Sequence, residues 1–290
     1  MPPNNGPFTV LTDLYPRNQG KGGWQRLRAA GQELYDYRFF VRRLIEISLT
    51  TDYKRSFIGL TWLVILPLVS VVIWILLNGA GVISPGKTAI PYPAYVLLST
   101  SIWGFFAEFY RSTSRVFITY GRMMSMVDFP RGTVLLEVLA VHLIRFAIPF
   151  SLNVIVLLLF GVRFTWWALL FPLTLVPLLL AGAAVGLLVA LLRIVAVDIS
   201  NLADEGIRLL MFLTPVIYAP KINLGALSFI IELNPMTYLI SFSRDLLTKG
   251  TFYEPTYYLL TLGGTLLLFG GSARLYRRAQ PRIIERLINN

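Results

Sequence analysis

Apolar positions in this chain fall into long blocks. About 20 mostly apolar residues in a row let a helix cross a bilayer core. Five stretches reach that length: 57–78, 92–110, 134–160, 166–192 and 255–276. A sixth, 203–219 (ADEGIRLLMFLTPVIYA), is shorter and opens on polar residues. The charge distribution described below requires it to cross as well. Ahead of the first block the pattern changes. Residues 1–23 are rich in Pro, Gly and Asn and read as a mobile arm. From 24 to 50, Trp24, Leu27, Leu34, Val41, Leu44, Ile45 and Ile47 recur at roughly helical spacing, with Arg26, Arg28, Arg38, Arg42 and Arg43 among them. This predicts an amphipathic helix in the membrane interface, its basic side chains reaching toward headgroups. An ordinary helix of a small soluble domain is the alternative. Between the fifth and sixth blocks, the apolar runs of 220–254 are only about six residues long and break at Asn234-Pro235. Such a segment either dips partway into the membrane and returns, or lies as a loop on the outer surface.

The predicted fold class is thus an all-α integral membrane protein. It has six transmembrane helices, an N-terminal amphipathic interface helix and a re-entrant segment between helices 5 and 6. The divisions are 1–23 (arm), 24–56 (interface helix and approach to the first span), 57–276 (transmembrane domain) and 277–290 (cytoplasmic tail). The first 50 residues carry no apolar core flanked by a small-residue cleavage site, so the first span is expected to direct insertion. No internal repeat is evident, which weighs slightly against an inverted-repeat secondary transporter.

Charge then sets the orientation. Hydrophobic residues make up 56% of the 290, and only 14% are charged, where a soluble domain carries about 25%. With the N-terminus in the cytoplasm and six spans, 20 of the 26 Lys and Arg fall on the cytoplasmic side. Lys87, Arg163, Lys221, Arg244 and Lys249 fall outside, and Arg145 lies within a span. That is a clear positive-inside bias. It assigns the net charge of +11 to anionic membrane lipids and not to nucleic acid. Cysteine is absent and His142 is the single histidine. There is no disulfide framework, and a zinc site built on several His or Cys ligands is excluded.

One motif points elsewhere. Residues 81–88, GVISPGKT, match the phosphate-binding loop G-x-x-x-x-G-K-[ST]. That loop needs a buried strand before it and a helix beginning at the Lys-Thr. Here a membrane span precedes it, Pro91 and Pro93 follow, and the orientation puts it outside the cytoplasm. It is expected to be an external Gly/Pro turn. No nucleophile elbow, H-E-x-x-H or Asp-x-Asp pair is present, so no enzyme constellation emerges.

The ionisable residues inside lipid are the next candidates. Glu108 and Arg111 share a helix face, as do His142 and Arg145. Arg145 sits near mid-bilayer. It either pairs with Glu108 across the second and third spans or forms a cationic spot in the path of an anionic substrate. His142 reads as a packed, hydrogen-bonded residue. Trp103, Phe106 and Tyr110 form a helical stripe that either packs or lines a path for sugar rings. Trp166 and Trp167 fit an interfacial belt.

Several of these pieces together resemble ABC-2-type permeases of the polysaccharide-export branch. Residues 52–68, DYKRSFIGLTWLVILPL, resemble the family's approach to its first span, with Lys54, Arg55, Gly59, Trp62 and Pro67 in place and Ile58 where Leu is usual. Asp128-Phe129-Pro130-Arg131 is similar to its Phe-Pro-Arg element before span three. Asp198, Asn201 and 213–218 (LTPVIY) resemble its fifth-span region, although Val197 stands where the family commonly has Arg. Asn234-Pro235 followed by Arg244 resembles its external re-entrant region. The matches run from about residue 24 to the C-terminus.

The resemblance implies a half-transporter that is not itself an enzyme and binds no cofactor. A second copy completes the pathway, and two separate ATP-binding subunits, which hold ATP and Mg, drive export of a polyprenyl-diphosphate-linked glycan such as O-antigen, capsule or teichoic acid. It implies a coupling segment over 115–129, with Tyr120, Met123, Met124, Met126, Asp128 and Phe129 meeting the ATPase. It implies a substrate path or gate involving Lys54, Arg55, Trp62, Trp103, Phe106, Glu108, Tyr110, Arg145, Asn234, Pro235 and Arg244. The expected location is the bacterial cytoplasmic membrane, with both termini in the cytoplasm. The alternatives are an ABC-2-type exporter of another lipid or drug, an ion-coupled secondary transporter, and a membrane glycosyltransferase, which would need a catalytic acidic pair.

Overall fold

The computed structural model describes residues 31–32, 35–54, 61–82, 85–88, 90–126, 129–130, 132–221 and 225–289. Among these residues the protein is helical and forms no strand. The helices are α1 (Arg38–Lys54), α2 (Trp62–Gly79), α3 (Tyr92–Ser114), α4 (Val116–Met126), α5 (Gly132–Leu159), α6 (Val176–Val195), α7 (Val197–Leu210), α8 (Ala226–Leu233), α9 (Pro235–Lys249) and α10 (Pro255–Asn289). A 3-10 turn, Trp166–Leu170, and one helical turn, Phe171–Thr174, lead into α6.

Three stretches are long and apolar enough to cross a membrane by themselves: Gly132–Leu159, Trp166–Val195 and Pro255–Ile283. The α2 stretch Val64–Gly79 is apolar but shorter. Helix α3 has 23 residues, which is about 35 Å at 1.5 Å per residue. Its Ser, Thr, Glu108 and Arg111 dilute its apolarity.

Side-chain contacts set the direction of each helix against α3. Gly182 of α6 faces Phe106, Gly186 faces Tyr110 and Thr113, and Arg193 reaches Ser114, so α6 runs parallel to α3. The α5 ring of His142 lies between Phe105 and Phe109, and Phe146 packs on Phe105, so α5 runs antiparallel. In α10, Tyr258 stacks on Phe242 at one end, and Tyr276 stacks on Phe117 of α4 at the other. The ends of the bundle are thereby distinct. One end gathers the turn at 85–88, the Trp166–Leu170 turn, α8 and α9. The other gathers α4, the last turns of α3 and α6, and Phe129, whose ring lies 5.1 Å from Phe40 of α1.

The fifth predicted span is not one helix. Helix α7 stops at Leu210, and residues 211–218 form turns. Pro215 has no N–H to continue a helix and disfavours helical backbone at Thr214. The segment nevertheless travels the length of α3. Asp204 is bonded to Tyr110, while the carbonyls of Pro215 and Tyr218 are bonded to Tyr95. Those tyrosines are fifteen positions apart on α3, which is about 22 Å. The 220–254 region is broken at Asn234-Pro235, where the sequence pattern places the break. It folds as two helices joined at Asn234, whose side-chain oxygen accepts from the Met236 N–H and caps α9. Trp24, Leu27, Leu34, Arg55 and Asp128 lie outside the described residues.

A close helix contact comes from Gly182-Ala-Ala-Val-Gly186, a small-xxx-small pattern that lets two backbones approach. A Cβ on Gly186 would lie 2.7 Å from the Thr113 Cβ and 2.9 Å from the Tyr110 carbonyl oxygen. On Gly182 it would lie 3.0 Å from the Phe106 carbonyl oxygen. Gly186→Val should cost about 1–3 kcal/mol, the usual range for overpacking, and lower the thermal midpoint measured in mild detergent. Gly104→Ala, where nothing lies within 4 Å of the added carbon, should not lower the midpoint, because Ala favours a helix interior over Gly.

Candidate functional site

Polar chemistry concentrates at the two ends of α3. At the end bearing the 85–88 turn, Arg244 of α9 is a charged side chain that remains only 2% exposed. Its Nη1 donates to Ser99 Oγ at 3.2 Å and to the Pro215 carbonyl at 3.1 Å, and its Nε donates to Asp245 Oδ1 at 3.4 Å. The guanidinium carbon sits 4.3 Å over the Tyr95 ring, a cation–π contact strengthened by removal from water. The Tyr95 hydroxyl donates to the Tyr218 carbonyl at 2.7 Å and the Tyr92 hydroxyl to that of Ile217 at 3.1 Å. Asn234 Nδ2 donates to Thr214 Oγ1 at 2.9 Å and the Leu213 carbonyl at 3.1 Å.

At the opposite end, Arg193 in the last turn of α6 is 7% exposed and Asp204 of α7 is 23% exposed. Arg193 Nη2 donates to both Asp204 oxygens at 2.9 Å, and its Nε donates to the Ser114 carbonyl at 3.2 Å. That carbonyl is among the last of α3, which have no partner within the helix and attract a cation. The Tyr110 hydroxyl donates to Asp204 Oδ1 at 2.7 Å. One ion pair thus joins α3, α6 and α7.

The sequence-predicted residues divide between these regions. On α4, Met124 is buried, Tyr120 and Met123 are half-buried, and Met126 is 68% exposed. Tyr120 donates to Glu137 Oε2 at 2.5 Å. Burial and that hydrogen bond hold its phenol well above the ordinary range. Phe129 is buried. Lys54 is the last residue of α1. On α1, Val41 and Leu44 face inward, while Arg42 and Arg43 hold Glu46 at 3.2 and 3.1 Å. Those bonds, Arg43's first, lower the Glu46 pKa. Trp62 is exposed, and Trp103, Phe106 and Tyr110 are buried within the chain, so the stripe packs. Glu108 pairs with Arg111 on its own helix. Both side chains lie on one exposed face of α3, as i and i+3 positions do. Arg145 is half-buried on α5, and Pro235 opens α9. Trp166 and Trp167 are exposed, as an interfacial belt requires.

The clamp of Arg193, Asp204, Tyr110 and Ser114 was not foreseen. Its signal was Asp204 in the polar opening of one block together with an Arg closing another block. Among the described residues no three His, Cys, Asp or Glu side chains gather as metal ligands would. Asp204→Leu should destabilise the protein by about 3 kcal/mol, because it leaves Arg193 buried without a counter-charge. Arg193→Met combined with Asp204→Leu should recover part of that loss. Thermal unfolding of the three proteins in detergent measures both effects.

No family model matches the chain. It is similar to the O-antigen export system permease protein RfbA of Myxococcus xanthus, 24% identical over 213 residues covering 72% of this chain and 80% of that protein. It is similar to two proteins of the same name from Klebsiella pneumoniae, 24% and 22% identical over 241 residues, each covering 82% of this chain and 91% of the relative. These similarities, over most of the chain and most of each relative, support a likeness to ABC-2-type permeases of O-antigen export systems.

Proposed function

We propose that this chain is the membrane-spanning subunit of an ATP-driven exporter of a polyprenyl-diphosphate-linked glycan of the O-antigen type. The observation that carries the reading is the extent of the match to export permeases, 91% of the length of two of them. The geometry is consistent with it. Six crossings are α2, α3, α5, the stretch from Trp166 to Val195, the segment from Asp204 to Tyr218, and α10. The α8–α9 hairpin, returning at Asn234, serves as the re-entrant gate on the outer side. Helix α1 lies in the inner interface, where Arg42 and Arg43 meet headgroups.

Helix α4 is the coupling element. It sits at the end of the bundle that carries most of the Lys and Arg, is braced by Tyr120 on Glu137 and Phe117 on Tyr276, and presents Met126 and Ile118 outward. Two copies of the chain form the pathway. Two partner subunits bind ATP and Mg and hydrolyse the nucleotide, and this chain carries no catalysis.

The tagged chain, purified in mild detergent, should bring down a subunit with a phosphate-binding loop at equal stoichiometry, and that subunit should carry the ATPase activity. Met126→Glu should leave the chain folded and reduce co-purification by about tenfold, the effect of losing roughly 1.4 kcal/mol of interface energy. A wild-type chain that recovers no such subunit, yet moves substrate down an ion gradient, would be a secondary transporter.

A further inference from the structure

The end of the bundle bearing α9 contains an open cavity of about 380 Å³. Lys87, Lys221, Arg244 and Lys249 line it, with Asp245 and the Tyr95 ring beside Arg244. Three separate segments bring these charges together. Lys87 comes from the Gly86-Lys87-Thr88 turn, Lys221 follows the non-helical segment, and Arg244 and Lys249 belong to α9. The turn is held in place. Gly86 has φ +74°, a conformation that favours glycine. The Ala219 N–H donates to the Pro85 carbonyl at 2.8 Å, and Thr88 Oγ1 donates to the Ile90 carbonyl at 3.0 Å.

Arg244 is nearly enclosed, yet its donors are not all used. Nε and Nη1 have the partners described above, while Nη2 has no acceptor among the described residues. A nearly enclosed guanidinium that lines a cavity together with three lysines is suited to an anionic acceptor. The charge gives the class. Asp245 offsets one cation, and Glu254, 3.1 Å from Lys221, offsets another. Two of the four positive charges remain. A single carboxylate would neutralise only one of them. A diphosphate diester carries two negative charges and several acceptor oxygens, which suits a rigid guanidinium fork and mobile ammonium groups together.

We propose that this cavity is a binding site for a diphosphate group on the outer side of the protein. The group is either the head of a lipid-linked diphosphate arriving through the membrane or a free inorganic phosphate species. Choosing the lipid rests on the export reading, whereas the anion site rests on the cavity alone. The Lys of GVISPGKT then meets phosphate without any nucleotide fold, because convergent charge replaces the strand, loop and helix that a nucleotide site uses.

The test uses the full chain in nanodiscs of neutral lipid, without its ATP-binding partner, and the Lys87→Ala/Lys249→Ala double variant. Both lysines are exposed, and an unchanged thermal midpoint confirms that the variant is folded. Inorganic pyrophosphate, followed by phosphorus NMR, should bind the wild type. It should bind the double variant about 100-fold more weakly, roughly tenfold per charge-assisted contact. Geranylgeranyl diphosphate in the nanodisc is the competitor. Displacement of pyrophosphate identifies the lipid head as occupant, and binding without displacement identifies the free phosphate species. Equal binding by wild type and variant, or binding by neither, overturns the site. Neither readout involves the ATP-binding subunit, so failure here and failure of the export reading are separate results.

Discussion

Residues 211–218 leave the helix while running alongside α3, and a backbone out of helix and away from water must find a partner for each carbonyl. The protein meets that demand with side chains. Phe212 is bonded by Tyr218, Leu213 by Asn234, Pro215 by Arg244 and Tyr95, Ile217 by Tyr92, and Tyr218 by Tyr95 again. The donors come from α3, from α9 and its cap, and from the segment itself. An unmet carbonyl would cost about 1–3 kcal/mol, so α3, α9 and the 211–218 segment hold one another in register. The buried Arg244, the Asn234 cap and the two tyrosines of α3 are consequences of that one break in the helix.

This explains which parts of the molecule were legible in its sequence. Block length and apolarity marked α2, α3, α5, α6 and α10, because those properties depend only on neighbours along the chain. The spacing of Val41 and Leu44 marked α1. Asn234-Pro235 marked a boundary, and a helix does begin there. That 203–219 runs as one long segment beside α3 was also legible, since the charge distribution called for a long segment there. Its form was not, because turns at 211–218 are stable only against side-chain donors brought in by the fold, Tyr92 and Tyr95 more than a hundred residues earlier and Asn234 and Arg244 later. Gly182 and Gly186 read as ordinary members of an apolar run until their partner helix is known. Arg193 reads as a charge at the end of one block and Asp204 as part of the polar opening of another, for the same reason.

The two ends of α3 are built on different chemistry. At the α4 end a formal ion pair, Arg193 with Asp204, closes over the last carbonyls of α3 and brings α6 and α7 to the same point. At the α9 end, neutral hydroxyls and one guanidinium bind a backbone. Between them, the Gly182 and Gly186 contacts bring α6 against α3 at the Phe106 and Tyr110–Thr113 levels. Helices α3, α6 and α7 are thus joined at several depths, whereas α2 leaves Leu66, Val69, Val72, Ile73 and Leu76 exposed. The joined helices are suited to move as one body, and the exposed apolar face of α2 is left to meet lipid or protein.

The Gly-Lys-Thr turn shows how far a motif can be separated from its usual mechanism. In a nucleotide-binding loop the glycines let successive N–H groups point at phosphate, and a helix that starts at the Lys-Thr adds its positive end. Here the next helix starts only at Tyr92, so no helix end reaches the Lys-Thr. Lys87 is what remains, and its effect depends on where the turn places it. Beside an isolated lysine an anion would find a solvated charge of little strength, because water competes for it and salt screens it. Beside Lys221, Lys249 and an Arg244 already stripped of water, the same lysine adds to a field that no single residue provides. Recognition of phosphate here follows from the tertiary convergence of four cations, and the eight-letter pattern contributes one of them.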